Sequence, residues 1–417
     1  MIADILIKNA SELVTARGAR GGPKTKAAMA DLGIIRNGAL AIDGNEIVAV
    51  GETDEVLATV ERATTVIDAT DRIILPGFVD CHTHLVFGGS REDEFIQKIE
   101  GRSYLEIMQG NGGILNTVEK TREALASPQA LTNRAQAFLG KMLAFGTTTV
   151  EIKTGYGLST ESELGLLKII AGLKKSQPVD IAPTFLGAHA FPEEYKGRKA
   201  DYIQLVLGTL NRVKSEGLAE YCDVFVEAGA FSASEARTIL EEAKKQGLKL
   251  KLHAGEFNDI GGAELGAELG ATSIDHLDYI SERGMQLMAA KKTIGVLLPG
   301  VPFHLMTNRF APARKLIEAG VPIALATDFN PGSCPTLSMQ MIVALACRQL
   351  KMKPAEAINA ATINAAYALD RGDKVGSIEV GKRADIIVLD IPRHQQLPYW
   401  FGVNLVAKVV KNGVIIG

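Results

Sequence analysis

Seven histidines occur in the 417 residues, and five of them, His82, His84, His189, His253 and His276, stand at or just past the ends of short apolar runs. His82-Thr83-His84 sets two imidazoles two residues apart, and on a strand such residues share a face. His253 and Asp328, closing two later runs, would add a third nitrogen and a carboxylate oxygen. Three neutral nitrogens and one oxygen, with room for water, suit one catalytic metal ion, Zn²⁺ or Fe²⁺/Fe³⁺; the thiolates of a structural zinc site are missing. Such an ion brings the pKa of bound water towards about 7 and makes hydroxide available at neutral pH. Proton traffic then needs a neighbour. Glu256, in His253-Ala-Gly-Glu256, and His276 are both candidates for general base or proton shuttle, and Asp328 could orient the water while binding the ion.

Substrate-facing candidates lie close by in sequence. Arg91, in Gly88-Gly-Ser-Arg91, could hold a carboxylate bidentately. Tyr156, in Lys153-Thr-Gly-Tyr-Gly157, and His189, in Gly187-Ala-His189, each follow an apolar run. Asn330, Gly332 and Ser333 follow Asp328 in a loop with donors for a further anionic group. Tyr104 falls in a helical insertion between the first two runs, placed to act as a lid.

These residues need a scaffold that brings distant segments to one rim. The middle of the chain alternates apolar runs with helical patterns, which implies a parallel sheet covered by helices. The expected strands are 77–84, 147–153, 179–187, 221–227, 248–253, 273–276, 293–298 and 322–328. Eight strands in strict alternation specify an α/β fold, a closed (β/α)8 TIM-like barrel whose active site belongs at the C-terminal ends of the strands. Thr160 and Glu163 read as a capping box opening one helix, and Pro354 as the first residue of another. The two ends of the chain differ from the middle. Ala39 to Val50 reads as a hairpin about Asp43-Gly44, and Ala407 to Gly413 ends in an Asn412-Gly413 turn. Neither end can bury a core alone, so 1–73 and 375–417 are expected to form one small β-sandwich domain beside a catalytic barrel spanning 74–374.

The chain is 47% hydrophobic and 22% charged, with a formal net charge of −3 and no basic stripe, which argues against nucleic acid as a partner. No apolar run approaches the roughly 20 residues of a membrane span, and the first residues do not read as a secretion signal. Cys81, Cys222, Cys334 and Cys347 form no close pairs. Free thiols of this kind fit a cytoplasmic chain.

With these residues in view, the sequence resembles the amidohydrolase superfamily over essentially its whole length. The resemblance rests on Pro76-Gly-Phe-Val-Asp-Cys-His-Thr-His84, on His253, His276 and Asp328, and on Gly376-Ser-Ile-Glu-Val-Gly-Lys-Arg-Ala-Asp385. Phe87-Gly-Gly-Ser-Arg91, Glu151-Ile-Lys-Thr-Gly-Tyr-Gly157, Leu186-Gly-Ala-His189, Leu252-His-Ala-Gly-Glu256 and Thr327-Asp-Phe-Asn-Pro-Gly332 narrow it to members that open an imidazolone ring in histidine degradation. What the resemblance implies is hydrolysis of 4-imidazolone-5-propanoate to N-formimidoyl-L-glutamate, with a metal held by His82, His84, His253 and Asp328. Arg91 would bind the propanoate carboxylate, Tyr156, His189 and Glu256 would lie near the ring, and Asn330, Gly332 and Ser333 would contact the product. Ser333 departs mildly from the threonine frequent at that position, keeping the hydroxyl. Binuclear relatives carry a lysine at the end of the fourth strand, where this chain has Val224-Phe-Val-Glu227, and Lys153 belongs to the second strand; one ion is expected. A homodimer follows from family analogy alone. The competing expectation is an aminohydrolase that deaminates a heterocyclic base on the same site.

Overall fold

Short runs rich in Val, Ile, Leu and Thr suit strands buried on both faces, and the computed structural model, which describes residues 1–18, 21–102 and 112–416, buries them so, with the charged residues among them paired inside. The first seven strands are β1 (Ile2–Ala10), β2 (Glu12–Val14), β3 (Ile34–Ile35), β4 (Gly38–Asp43), β5 (Glu46–Glu52), β6 (Arg62–Asp68) and β7 (Ile73–Pro76). The next eight are β8 (Phe78–Asp80), β9 (Thr147–Lys153), β10 (Asp180–Ala188), β11 (Tyr221–Val226), β12 (Lys249–Ala254), β13 (Ser273–His276), β14 (Ile294–Leu297) and β15 (Ile323–Leu325). The last three are β16 (Ile386–Leu389), β17 (Val406–Lys411) and β18 (Val414–Ile416).

Strands β8 to β15 form one parallel sheet in sequential order, each expected run supplying one strand. The sheet closes on itself beyond the ends of β8 and β15. Thr83 and Phe329 make a parallel bridge, with the Asp328 N–H on the His82 carbonyl (3.0 Å) and the His84 N–H on the Phe329 carbonyl (2.9 Å). Two expected strands are shorter than the sequence suggested. The first stops at Asp80 and the eighth at Leu325, so His82, His84 and Asp328 stand on the connections just past the ladder. Asp328 has φ 53°, a left-handed conformation that cannot continue a strand.

Helices between successive strands pack outside, among them Pro128–Ala144, Thr160–Ser176, Lys199–Ser215, Ala233–Lys245, Met339–Gln349 and Pro354–Ala360. The capping box expected at Thr160 is absent. Ser159 is the N-cap, its hydroxyl accepting from the Ser162 N–H, and Glu163 turns elsewhere.

The chain ends meet in two further sheets. One has the order β5-β4-β1-β6; the other, β18-β17-β16-β7-β2-β3, draws strands from both ends. Ile7, Leu13, Leu40, Ile42, Ile74, Ile386 and Val410 share one buried cluster between them. Asn412 and Gly413, with φ 56° and 77°, make the two-residue turn joining β17 to β18, as Asn-Gly at that spacing requires. Arg383 and Lys411 fasten these sheets to the barrel through Asp180 at the start of β10. No helix among the described residues is long and apolar enough to cross a membrane.

Candidate metal centre and active site

The C-terminal rim of the barrel gathers four ligand atoms around one point. His82 Nε2 lies 3.3 Å from His84 Nε2 and 3.2 Å from Asp328 Oδ1. His84 Nε2 lies 3.3 Å from His253 Nε2 and 3.4 Å from Asp328 Oδ1. A tetrahedral ion with bonds of about 2.0–2.1 Å holds its ligands about 3.3–3.4 Å apart, and these four spacings fall at or near that length.

The far nitrogens explain why the near ones face each other. His82 Nδ1 lies 2.6 Å from Asp275 Oδ2, and His253 Nδ1 lies 3.0 Å from Asp223 Oδ1. A carboxylate only accepts, so each Nδ1 carries a proton and Nε2 is the atom turned to the cluster. Each of these Nε2 atoms lies 3.3 Å from His84 Nε2, whose own Nδ1 meets no partner among the described residues, and a cation between the nitrogens would hold the three together. The surroundings favour one. Burial opposes a charge on His82, yet the carboxylates of Asp275 and Asp328 outweigh it and lift that imidazole to about 9. Burial likewise pushes Asp328 up, but its hydrogen bonds to His82 and His84 win and hold it well below the usual carboxylate range. His253 falls to about 4, and His189 and His276 fall well below the ordinary imidazole value, through burial. These are neutral imidazoles.

Beneath the rim lies a buried charged layer. Lys153 Nζ contacts Asp223 at 2.7 Å, Glu151 at 3.0 Å and Asp275 at 3.4 Å, and Lys251 contacts Glu151 at 3.0 Å. Three carboxylates, Glu151, Asp223 and Asp275, thus meet two ammonium groups, and Asp328 at the rim meets neither. The excess negative charge favours a cation among the imidazoles. Lys153, expected to be badly placed for bridging two ions, is held here as a cation among carboxylates. A buried acid on a central strand needs a partner, and Asp223 and Asp275 could have been sought in the sequence on that ground.

The substrate-facing candidates surround this cluster. His189 stacks on His84 with ring centroids 4.8 Å apart, and Tyr156, buried, has its ring 5.7 Å from that of His84 and 5.5 Å from that of His189. Glu256 Oε2 and His276 Nε2 are 3.7 Å apart, too far for a hydrogen bond of their own. Both His276 nitrogens are buried without a protein partner. Burial, then the charges of Asp328, Asp278 and Glu227, raise Glu256 well above the ordinary carboxylate range. His276 can also join His82 and His253 in a ligand group, as His189 can join His84 and His253.

Arg91 heads the helix Glu92–Ile99 and gives Nε and Nη2 to Glu94 Oε2 at 2.9 and 2.7 Å. Its guanidinium packs on Gly332, where a Cβ would lie 2.5 Å from Arg91 Cζ. Asn330 spends its side chain on its own loop. Oδ1 accepts from Gly332 N and Ser333 N, both at 2.8 Å, while Nδ2 donates to the Asp328 carbonyl and to Ser333 Oγ, both at 2.7 Å. Asn330 therefore shapes the loop, and the Ser333 hydroxyl, 3.4 Å from Asp328 Oδ2, is the group of the three that faces the metal cluster. Tyr104 lies outside the described residues.

Comparison with known proteins gives this arrangement a family. The model of the amidohydrolase family matches residues 73–416. The chain belongs to that family. An imidazolonepropionase of Alkaliphilus metalliredigens is 47% identical over 418 residues, covering 100% of this chain and 98% of that protein. An imidazolonepropionase of Geobacillus kaustophilus is also 47% identical, covering 99% and 97%. Among solved structures, an adenosine deaminase of Xanthomonas campestris with bound zinc superposes with a TM-score of 0.73 at 20% identity, covering 99% of this chain and 93% of that one. An atrazine chlorohydrolase of Arthrobacter aurescens, complexed with zinc, gives 0.71 at 16% identity, with 99% and 94% covered. At those identities the amidohydrolase barrel, not the chemistry, is what is shared.

Proposed function

We propose that this amidohydrolase hydrolyses the cyclic amide C–N bond of 4-imidazolone-5-propanoate, yielding N-formimidoyl-L-glutamate in histidine degradation. The full-length likeness to imidazolonepropionases supports the reading. The observation that carries it in geometry is one loop, Asp328–Ser333, which begins at a carboxylate of the metal cluster and ends against the guanidinium of Arg91. On this reading the carboxylate arm of the substrate meets Arg91 and its ring carbonyl meets the cluster.

His82, His84, His253 and Asp328 are the residues we assign to one divalent ion, zinc or iron. Bound there, it supplies Lewis acidity, acidifying water and withdrawing charge from a carbonyl. The rest belongs to side chains. Arg91 holds the propanoate carboxylate, while Tyr156 and His189 flank the ring. Asp328 orients the attacking water. Water adds to the ring carbonyl carbon, the ring C–N bond breaks, and the departing nitrogen leaves with a proton. Glu256 and His276, facing one another without bonding, carry that proton from water to nitrogen. The four free cysteines, three of them buried, fit a reducing cytoplasm, and we take the enzyme as a homodimer by family analogy.

The test is turnover of 4-imidazolone-5-propanoate by the purified chain, set against adenosine, guanine and cytosine, with metal content measured on the same sample. Selective release of ammonia from a nucleobase or nucleoside would overturn the ring-opening assignment.

A further inference from the structure

Glu163 is a buried acid that neither the metal cluster nor the proton path uses. It sits in the first turn of the helix Thr160–Ser176, and no described cation pairs with it. Its carboxyl group is met instead by the Thr154 side chain and by backbone. Oε1 accepts from the N–H groups of Gly157 (2.7 Å) and Leu158 (2.9 Å), and Oε2 from that of Gly155 (3.2 Å). The three donors belong to the loop after β9. Burial pushes this acid above the ordinary carboxylate range, and the Thr154 hydroxyl and the three N–H bonds, which favour the charged form, offset it only in part.

That loop is a wall of the site. It carries Tyr156, whose ring lies beside His84 and His189. The Gly155 carbonyl lies 3.2 Å from His189 Nδ1. Since a carbonyl only accepts, Nδ1 holds the proton and Nε2 is left as the acceptor. The backbone does not hold this course by itself. Leu158, buried, has φ 49°, and at Gly157 a Cβ would lie 2.7 Å from Glu163 N and 2.8 Å from both Glu163 Oε1 and Ser162 C, so the loop packs directly on the helix N-terminus and its carboxylate.

We propose that Glu163 is a positioning residue of the substrate pocket: it fixes the Thr154–Leu158 loop, and through the loop the place of Tyr156 and the tautomer of His189. The inference rests on the reading that Tyr156 and His189 flank the substrate ring, and it names a residue that sets that flank without touching the substrate.

Glu163→Gln keeps the size of the side chain but turns an amide NH₂ towards N–H donors on one side. Gly157→Ala keeps the charge but pushes the loop off the carboxylate and the helix N-terminus together. Both variants, with metal content measured, are compared with the wild type in steady-state kinetics on 4-imidazolone-5-propanoate. We expect KM to rise about tenfold or more, the loss of a hydrogen bond to a charged group, while kcat stays within about threefold. A role in stability alone would lower the melting temperature without this split. The second readout needs no substrate. The ¹⁵N spectrum of His189, assigned by its loss in His189→Asn, should show a protonated Nδ1 in the wild type and an averaged tautomer in both variants. A wild-type KM with an unchanged His189 spectrum overturns the inference, as does a fall in kcat at constant KM. Should Glu163→Gln fail to fold, Glu163→Asp, which keeps the charge but draws it back from the loop, takes its place and should show the same rise in KM. Should the wild type not turn over the imidazolone at all, the parent reading fails while the spectrum still judges Glu163.

Discussion

Replacing Gly332 by alanine should disable the carboxylate end of the pocket while leaving the metal end intact. The backbone there is outside the left-handed region, so alanine brings no conformational strain of its own. Its Cβ would stand 2.5 Å from Arg91 Cζ. Carbon atoms in contact ordinarily sit about 3.5–4.0 Å apart, so the guanidinium must withdraw by at least about 1 Å. It is not free to rotate away at will, because Glu94 holds Nε and Nη2 at 2.9 and 2.7 Å. A shift of that size breaks the charge-assisted bonds to a substrate carboxylate, worth about 1.5–3 kcal/mol, or roughly 10- to 150-fold in kcat/KM. The loss should appear in KM, since the contact is made equally in ground and transition states. Steady-state kinetics on 4-imidazolone-5-propanoate and on its methyl ester separate the causes. The ester, which offers no full charge to Arg91, should be turned over by variant and parent alike. If kcat/KM on the acid is unchanged, or if acid and ester suffer equally, the assignment of Arg91 to the carboxylate is wrong.

Three further outcomes are expected. Asp275→Asn deprives His82 Nδ1 of its carboxylate, and metal affinity should fall about 10- to 100-fold in competition with a chromophoric chelator; unaltered affinity would count against the cluster as a metal site. Lys153→Met leaves Asp223 and Asp275 buried without their ammonium partner and should cost about 3–5 kcal/mol in urea unfolding, whereas a loss below about 1 kcal/mol would contradict the charge balance drawn above. At the opposite face of the barrel, burial would raise Glu220, but Arg371 and then Lys174 outweigh it and hold the carboxylate below its ordinary value. A depressed acid stabilises the fold above its unfolded pKa of about 4.3, and that contribution disappears as pH falls through the lower folded value. Melting temperatures of wild type and Arg371→Gln, followed from neutral to acid pH, should therefore converge at the acid end; a constant gap would refute the pairing.

The sequence disclosed the barrel because short β-branched and apolar runs alternate with helical spacing, a local pattern that the fold has no reason to overwrite. The histidines at the rim were legible for the same reason, each marking the end of a run. What stayed hidden depends on direction. Glu163, three residues after Thr160, has the spacing of a capping box, yet the nest of N–H groups in the loop before it competes for the carboxylate and wins. Asn330 reads as a free donor, but its four bonds close within its own turn. Glu94 beside Arg91 reads as a surface acid in the first turn of a helix, and only the packing of that helix on the rim buries the pair. Spacing tells which residues share an element; it does not tell which of several partners a side chain meets across the barrel.

The sheet that mixes both ends of the chain also imposes an order of events during synthesis. Strands β2 and β7 leave the ribosome early, but β16, β17 and β18, which complete their sheet, are made more than 300 residues later. At about 5–20 residues per second, that interval is on the order of 15–60 s. Throughout it the edge of β7 has no neighbour on one side, open to pairing with another nascent chain. Yield in the cell should thus depend on chaperone supply more steeply than the stability of the finished barrel would suggest.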